Sequence, residues 1–168
     1  RWEKNINVPE VYPVAGMHSR FMTLGIEKGK YEICVLYKNN ENDMFVTVWL
    51  GILTISTGHV VAANAGHEYP FIKRANGEFE KFNDKHGFVI GGMDGVKYRE
   101  YEFTLEKNDM LFLYTDGVPE ATNANEELFG LERMTAALNT DLSANPEQLL
   151  SNVKSAVDAF VGEAPQFD

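Results

Sequence analysis

The chain has 168 residues, 44% of them hydrophobic and 24% charged, and a net charge of -10 at pH 7. That is enough for one globular domain with its own core, and the surplus of acid argues against nucleic acid and anionic membranes as partners. The single cysteine, Cys34, excludes an internal disulfide and fits a reducing compartment such as the cytoplasm.

Residues 1–16 carry Pro9 and Pro13 without a clear period and read as extended. No basic stretch precedes an apolar one at the start, so the pattern of a signal peptide is missing. Phe21 to Ile26 and Tyr31 to Tyr37 flank Glu27-Lys28-Gly29-Lys30, a hairpin pattern. Lys38 to Asp43 is a polar loop. Phe45 to Leu53 is rich in β-branched and aromatic residues and reads as a strand. The apolar run Met44–Ile55, broken by Thr47 and Thr54, is too short to insert in a membrane as a span. Ser56-Thr57-Gly58-His59 turns the chain, Val60 to Asn64 returns, and Asn64-Ala65-Gly66-His67 turns it again. Phe71 to Arg74 and Phe79 to Phe82 flank Ala75-Asn76-Gly77, another hairpin. The expectation for this block is a meander of antiparallel strands.

Phe88 to Gly95 reads as a glycine-rich loop. Tyr98 to Leu105 alternates like a half-exposed strand. Met110 to Tyr114 reads as a buried strand that stops at Thr115-Asp116-Gly117. Leu128 to Leu138 reads as a helix with Leu131, Met134 and Leu138 on one face. Asn145 caps the last helix, with Pro146 at its first position and Glu147 in its first turn. Leu149, Leu150, Val153, Val157, Phe160 and Val161 form its apolar stripe, and Gly162 ends it. Strands first and helices last is the order of a layered α+β domain.

An apolar strand that delivers Asp116 at its tip, followed by Gly117, is a way to hold a carboxylate rigidly at the mouth of a site. Such a carboxylate suits a hard divalent cation. The plain alternative is that Asp116 only forms a turn, because Asp-Gly is a common turn pair. His67 has two readings as well, catalytic base or structural member of its turn. Glu120 is either a partner behind Asp116 or a solvated acid. Cys34, among apolar neighbours, reads as a buried, inert thiol. His18, His59 and His86 show no metal-ligand spacing.

The run from Leu111 through Tyr114-Thr115-Asp116-Gly117-Val118 to Glu120-Ala121 resembles the signature of SpoIIE-like phosphatases, the bacterial branch of the type 2C metal-dependent serine/threonine phosphatases. Asn123-Ala124, Glu127-Leu128-Phe129-Gly130, Asn64-Ala65-Gly66-His67 with Pro70, and Asp43-Met44-Phe45-Val46-Thr47 resemble further segments of that family in order. Ala164 to Asp168 is similar to the start of its closing motif. The similarity covers residues 42–168 and leaves 1–41 unmatched.

The resemblance implies an α+β fold, a layered β-sandwich of antiparallel sheets flanked by helices, incomplete in this chain. It implies a two-metal site for Mn²⁺ or Mg²⁺ with Asp116 and Asp168 as catalytic ligands, and Gly117, Glu120 and His67 in support. The implied activity is hydrolysis of phosphoserine or phosphothreonine in a regulatory protein such as an anti-sigma-factor antagonist. The family's two N-terminal metal motifs have no match, because no aspartate precedes Asp43. Gly91-Gly92-Met93-Asp94 imitates one of them at the wrong place. A fragment, or a catalytically inactive regulatory module, is therefore the rival expectation. Exposed sheet edges in such a chain would favour a homodimer.

Overall fold

The structure is a computed structural model that describes residues 22–27, 30–35, 44–75 and 77–165, with side chains from Met44 onward. The readings for residues 1–16 and 38–43, the Cys34 thiol, Asn76 and Asp168 lie outside what is described. Strands β1 (Met22–Glu27) and β2 (Lys30–Val35) form the expected antiparallel hairpin.

Strands β3 (Val48–Thr54) and β4 (His59–Ala65) pair antiparallel from Val48↔Ala65 to Thr54↔His59. Their turn closes on the Thr54 carbonyl, which accepts the Thr57 and Gly58 N–H groups at 3.1 and 2.8 Å. Gly58 sits at φ +70, and a Cβ there would lie 1.9 Å from the Leu105 carbonyl oxygen, so only glycine fits. β4 is central. Strand β8 (Glu100–Thr104) pairs antiparallel on its other side, and β7 (His86–Gly87) adds a short parallel pair at its C-terminal end. In β4, Val60, Ala62 and Asn64 are buried while Val61 and Ala63 are half-buried, the alternation of a strand with one face on a core.

The strand expected from Phe45 starts only at Val48. Val46 instead exchanges two hydrogen bonds of 2.9 Å with Ile90, which ties this segment to the loop around Gly91. The meander expectation also fails. After β4 the chain changes sheet, and strand β5 (Phe71–Lys73) lies between β6 (Phe79–Lys81) and β9 (Met110–Phe112). Gly66, at φ +73, lets the backbone turn out of the first sheet. Pro70 has no N–H to give a ladder, and its carbonyl accepts the Phe82 N–H at 2.8 Å. The β5–β6 hairpin forms as expected. β9 ends two residues short of the apolar run, and Leu113 is 44% exposed.

Helices α1 (Gly130–Leu138) and α2 (Pro146–Val161) pack on the second sheet. At the start of α2, Asn145 accepts the Gln148 N–H and Gln148 returns a bond to the Asn145 N–H, so two orphan donors are satisfied reciprocally. The core here joins Phe71, Phe79, Phe112 and Tyr114 to Met134, Leu138, Leu149 and Val153. Leu131 and Leu150, expected on the apolar faces, are 38% and 60% exposed. Each lies at the edge of its stripe, where helical spacing alone does not fix orientation. Asn139 locks α1 to β6, accepting the Phe79 N–H at 2.7 Å and donating to its carbonyl at 3.2 Å. A second, smaller core on the first sheet holds Val60, Ala62 and Tyr101 with Trp49, Phe82 and Phe103.

Candidate functional site

β9 leads through Leu113 and Tyr114 to the turn at Asp116. The Asp116 carboxylate is exposed, and its Oδ1 accepts the Gly117 N–H at 3.0 Å. Its carbonyl accepts the Glu120 N–H at 2.9 Å, which draws the Gly117–Glu120 segment into a compact turn. Glu120 is exposed, and its carbonyl accepts the Thr122 hydroxyl at 2.9 Å. Asp168 lies outside the described residues.

His67 is held by Asn64. The fully buried Asn64 accepts the His67 N–H at 2.8 Å and donates to the His67 carbonyl at 2.9 Å. The imidazole Nδ1 lies 3.0 Å from the Thr47 hydroxyl. His67 thus sits in a turn closed by Asn64, and the residue is half-buried.

The second sheet brings the two motifs to one end. β5 and β9 pair in the register Phe71↔Phe112 and Lys73↔Met110. Because the pairing is antiparallel, the segment of His67 and Glu68 before β5 and that of Thr115 and Asp116 after β9 leave the ladder at the same end. The Tyr114 hydroxyl, which donates to Glu68 Oε2 at 3.3 Å, shows that the two segments stay neighbours. Burial first, then the charge and hydrogen bond of Glu68, push the Tyr114 phenol up from its ordinary value, so it remains a donor.

One residue of this region gave no sequence signal. Asp84 lies in the stretch between β6 and β7, and its side chain is 0% exposed. Its Oδ2 accepts the Tyr101 hydroxyl at 2.7 Å and the Asn64 amide at 2.9 Å. Tyr101 in turn accepts the Trp49 indole N–H at 2.7 Å. Burial, followed by the hydrogen bond and charge of Asp84, raises the Tyr101 phenol. Periodicity cannot find such a residue, because its partners come from β4 and β8.

Among the described residues no three His, Cys, Asp or Glu side chains gather to hold a metal ion. Asp116 offers the hard oxygens of one carboxylate, and one carboxylate does not complete a Mg²⁺ or Mn²⁺ site. No helix of the described residues is long and apolar enough to cross a membrane.

Residues 33–168 match the family described as Stage II sporulation protein E (SpoIIE). Protein IcfG of Synechocystis sp. is 31% identical over 125 residues, which are 74% of this chain and 19% of that protein. Phosphoserine phosphatase RsbU of Bacillus subtilis is 30% identical over 92 residues, 54% of this chain and 27% of that protein. The chain thus spans a minor part of these relatives' length. Among solved structures, the SiaA-PP2C domain of Pseudomonas aeruginosa aligns with a TM-score of 0.61 at 22% identity, over 74% of this chain and 49% of that one. The phosphatase domain of SpoIIE from Bacillus subtilis aligns with a TM-score of 0.57 at 15% identity, over 78% and 56%. At these identities the structural likeness is one of fold, that of type 2C phosphatase domains. The family match takes in strands β3 to β9, both helices and the Asp116 turn, and the chain belongs to the SpoIIE family.

Proposed function

We propose that this chain is part of a metal-dependent protein phosphatase that hydrolyses phosphoserine or phosphothreonine in a regulatory protein, releasing the free hydroxyl and inorganic phosphate. What carries the reading is the placement of Asp116. A strand pinned in the second sheet delivers its carboxylate to an exposed turn, and that turn lies at the same sheet end as the His67 turn. Family membership and the printed function of RsbU as a phosphoserine phosphatase support the reaction class. Asp116 and Asp168 would be the metal ligands, with Gly117 closing the turn and Glu120 and His67 behind them. A bound Mn²⁺ or Mg²⁺ would supply an acidified water and neutralise phosphoryl charge. The substrate would be a phosphorylated switch protein of the anti-sigma-factor-antagonist kind, and the setting cytoplasmic.

A second reading keeps the fold and drops the chemistry. It is favoured by the described residues, among which no three His, Cys, Asp or Glu side chains gather to hold a metal ion. The chain would then act as an interaction module.

Calorimetric Mn²⁺ titration, paired with hydrolysis of a phosphoserine peptide, separates the two. Metal-dependent turnover lost in Asp116→Asn supports the phosphatase. Saturating metal with no turnover, in a chain that remains folded, supports the interaction module.

A further inference from the structure

The hydrogen bonds behind His67 end on a residue that the phosphatase reading does not use. Trp49 donates to Tyr101, Tyr101 donates to Asp84, and Asn64 donates to Asp84 while clamping His67 on both its N–H and its carbonyl. Asp84 Oδ2 is the terminal acceptor of this chain. An ionised carboxylate only accepts, so it fixes the Asn64 amide nitrogen towards itself and the Asn64 oxygen towards the His67 N–H. Asp84 Oδ1 is buried without a hydrogen bond, and the nearest ring nitrogen, His86 Nδ1, stands 3.7 Å away. Burying a carboxylate with one oxygen unpaired is unfavourable. The fold tolerates it where the other oxygen gathers donors from two strands of the first sheet.

We infer that Asp84 is a positioning residue: acting through Asn64, it holds the His67 turn in place beside the Asp116 turn. The inference is about the geometry of the turn, and its consequence for turnover rests on the phosphatase reading. It also places the anchor outside both sheet edges, in a loop between β6 and β7, so the first sheet orients a site that the second sheet carries.

The test is amide hydrogen exchange at His67 in the full chain, read against the unfolding midpoint, for Asp84→Ala, Asp84→Asn and Tyr101→Phe. Asp84→Ala removes the acceptor and should speed His67 exchange about three- to tenfold relative to amides of α2, the scale of one lost hydrogen bond. Asp84→Asn keeps an oxygen for both donors and removes the unpaired charge. It should restore His67 protection and unfold at or above the wild-type midpoint. Tyr101→Phe removes the other donor to the same oxygen and should leave His67 exchange unchanged. In an Asn64→Ala background, Asp84→Ala should add nothing at His67, because the two act in series. Equal acceleration in all three single variants, or none in Asp84→Ala, overturns the inference. Should Asp84→Ala fail to fold, a His67 turn loosened in Asp84→Asn overturns it equally well. On phosphopeptide, Asp84→Ala should lower kcat with KM little changed, and Asp84→Asn should restore it. Loosened exchange with unaltered turnover would leave the anchor standing and count against a role for His67 in the phosphatase.

Discussion

The turn between β8 and β9 is held by Asp109, and replacing that residue tests the electrostatic reasoning most directly. Its carboxylate is 2% exposed. It accepts the Glu106 N–H at 3.0 Å, the Ala75 N–H at 2.9 Å and the Arg74 guanidinium at 2.6 Å. The same guanidinium also donates to the Thr104 carbonyl at 2.7 Å, so the β5–β6 turn is tied to the end of β8. Bonds to a charged acceptor contribute roughly 1.5–3 kcal/mol each in buried settings. Arg74 is 53% exposed, so its share is discounted for screening. Asp109→Ala should therefore cost about 2–4 kcal/mol, or a fall in Tm of roughly 5–15 °C. Burial alone would raise the Asp109 carboxyl, but the Glu106 N–H, the Arg74 guanidinium and the Ala75 N–H together hold it below its ordinary value. A carboxyl lowered on folding contributes stability that is full above the unfolded value and is lost as pH falls through the folded one. Urea unfolding of wild type, Asp109→Ala and Asp109→Asn, followed by circular dichroism, should show the wild-type advantage at pH about 7 and its loss as pH falls through the lowered value of the Asp109 carboxyl. A difference from Asp109→Asn that does not change with pH, or an Asp109→Ala cost under about 1 kcal/mol, would refute the reasoning.

Asp116→Asn should leave stability within about 0.5 kcal/mol of wild type, because the side chain is exposed, while any metal-dependent phosphopeptide hydrolysis is lost; paired unfolding and turnover assays check both. Met134→Ala, at a residue 0% exposed in the core under α1, should cost about 2–5 kcal/mol in urea unfolding. Gly58→Ala should destabilise by at least about 2 kcal/mol, because a positive φ and a backbone oxygen both oppose the added methyl; thermal unfolding would show it. Asn145→Ala should cost about 1 kcal/mol through the lost cap of α2, measured in the same way.

What was legible in the sequence was what is local. The cap Asn145, Pro146 behind it and Gly162 at the far end bracket α2 because each acts on its own turn of helix. The Phe71–Phe82 hairpin and the strand running into Asp116 were legible for the same reason: short spacing carries the signal. The change of sheet after β4 was not, because alternation reports one face of a strand and says nothing of its neighbour. β5 has β6 beside it from a local hairpin, but β9 comes from far along the chain. The Asp84 and Asp109 carboxylates carried no motif, since most of their donors come from segments distant in the sequence. At the candidate site, Asp116 and His67 were legible from motifs, whereas the Asn64–Asp84 support behind His67 was visible only once β4, β7 and β8 were assembled.

The pairing of β5 with β9 has a consequence in time. Glu68 and Tyr114, which meet across the candidate site, are 46 residues apart in sequence. At a synthesis rate of roughly 5–20 residues per second, a nascent chain would carry β5 for several seconds before β9 exists to cover its open edge. Phe71 and Ile72, buried in the finished domain, would be bare during that interval. Synthesis at low temperature or on slow codons between these two strands would lengthen the exposure, and chaperone dependence should rise with it.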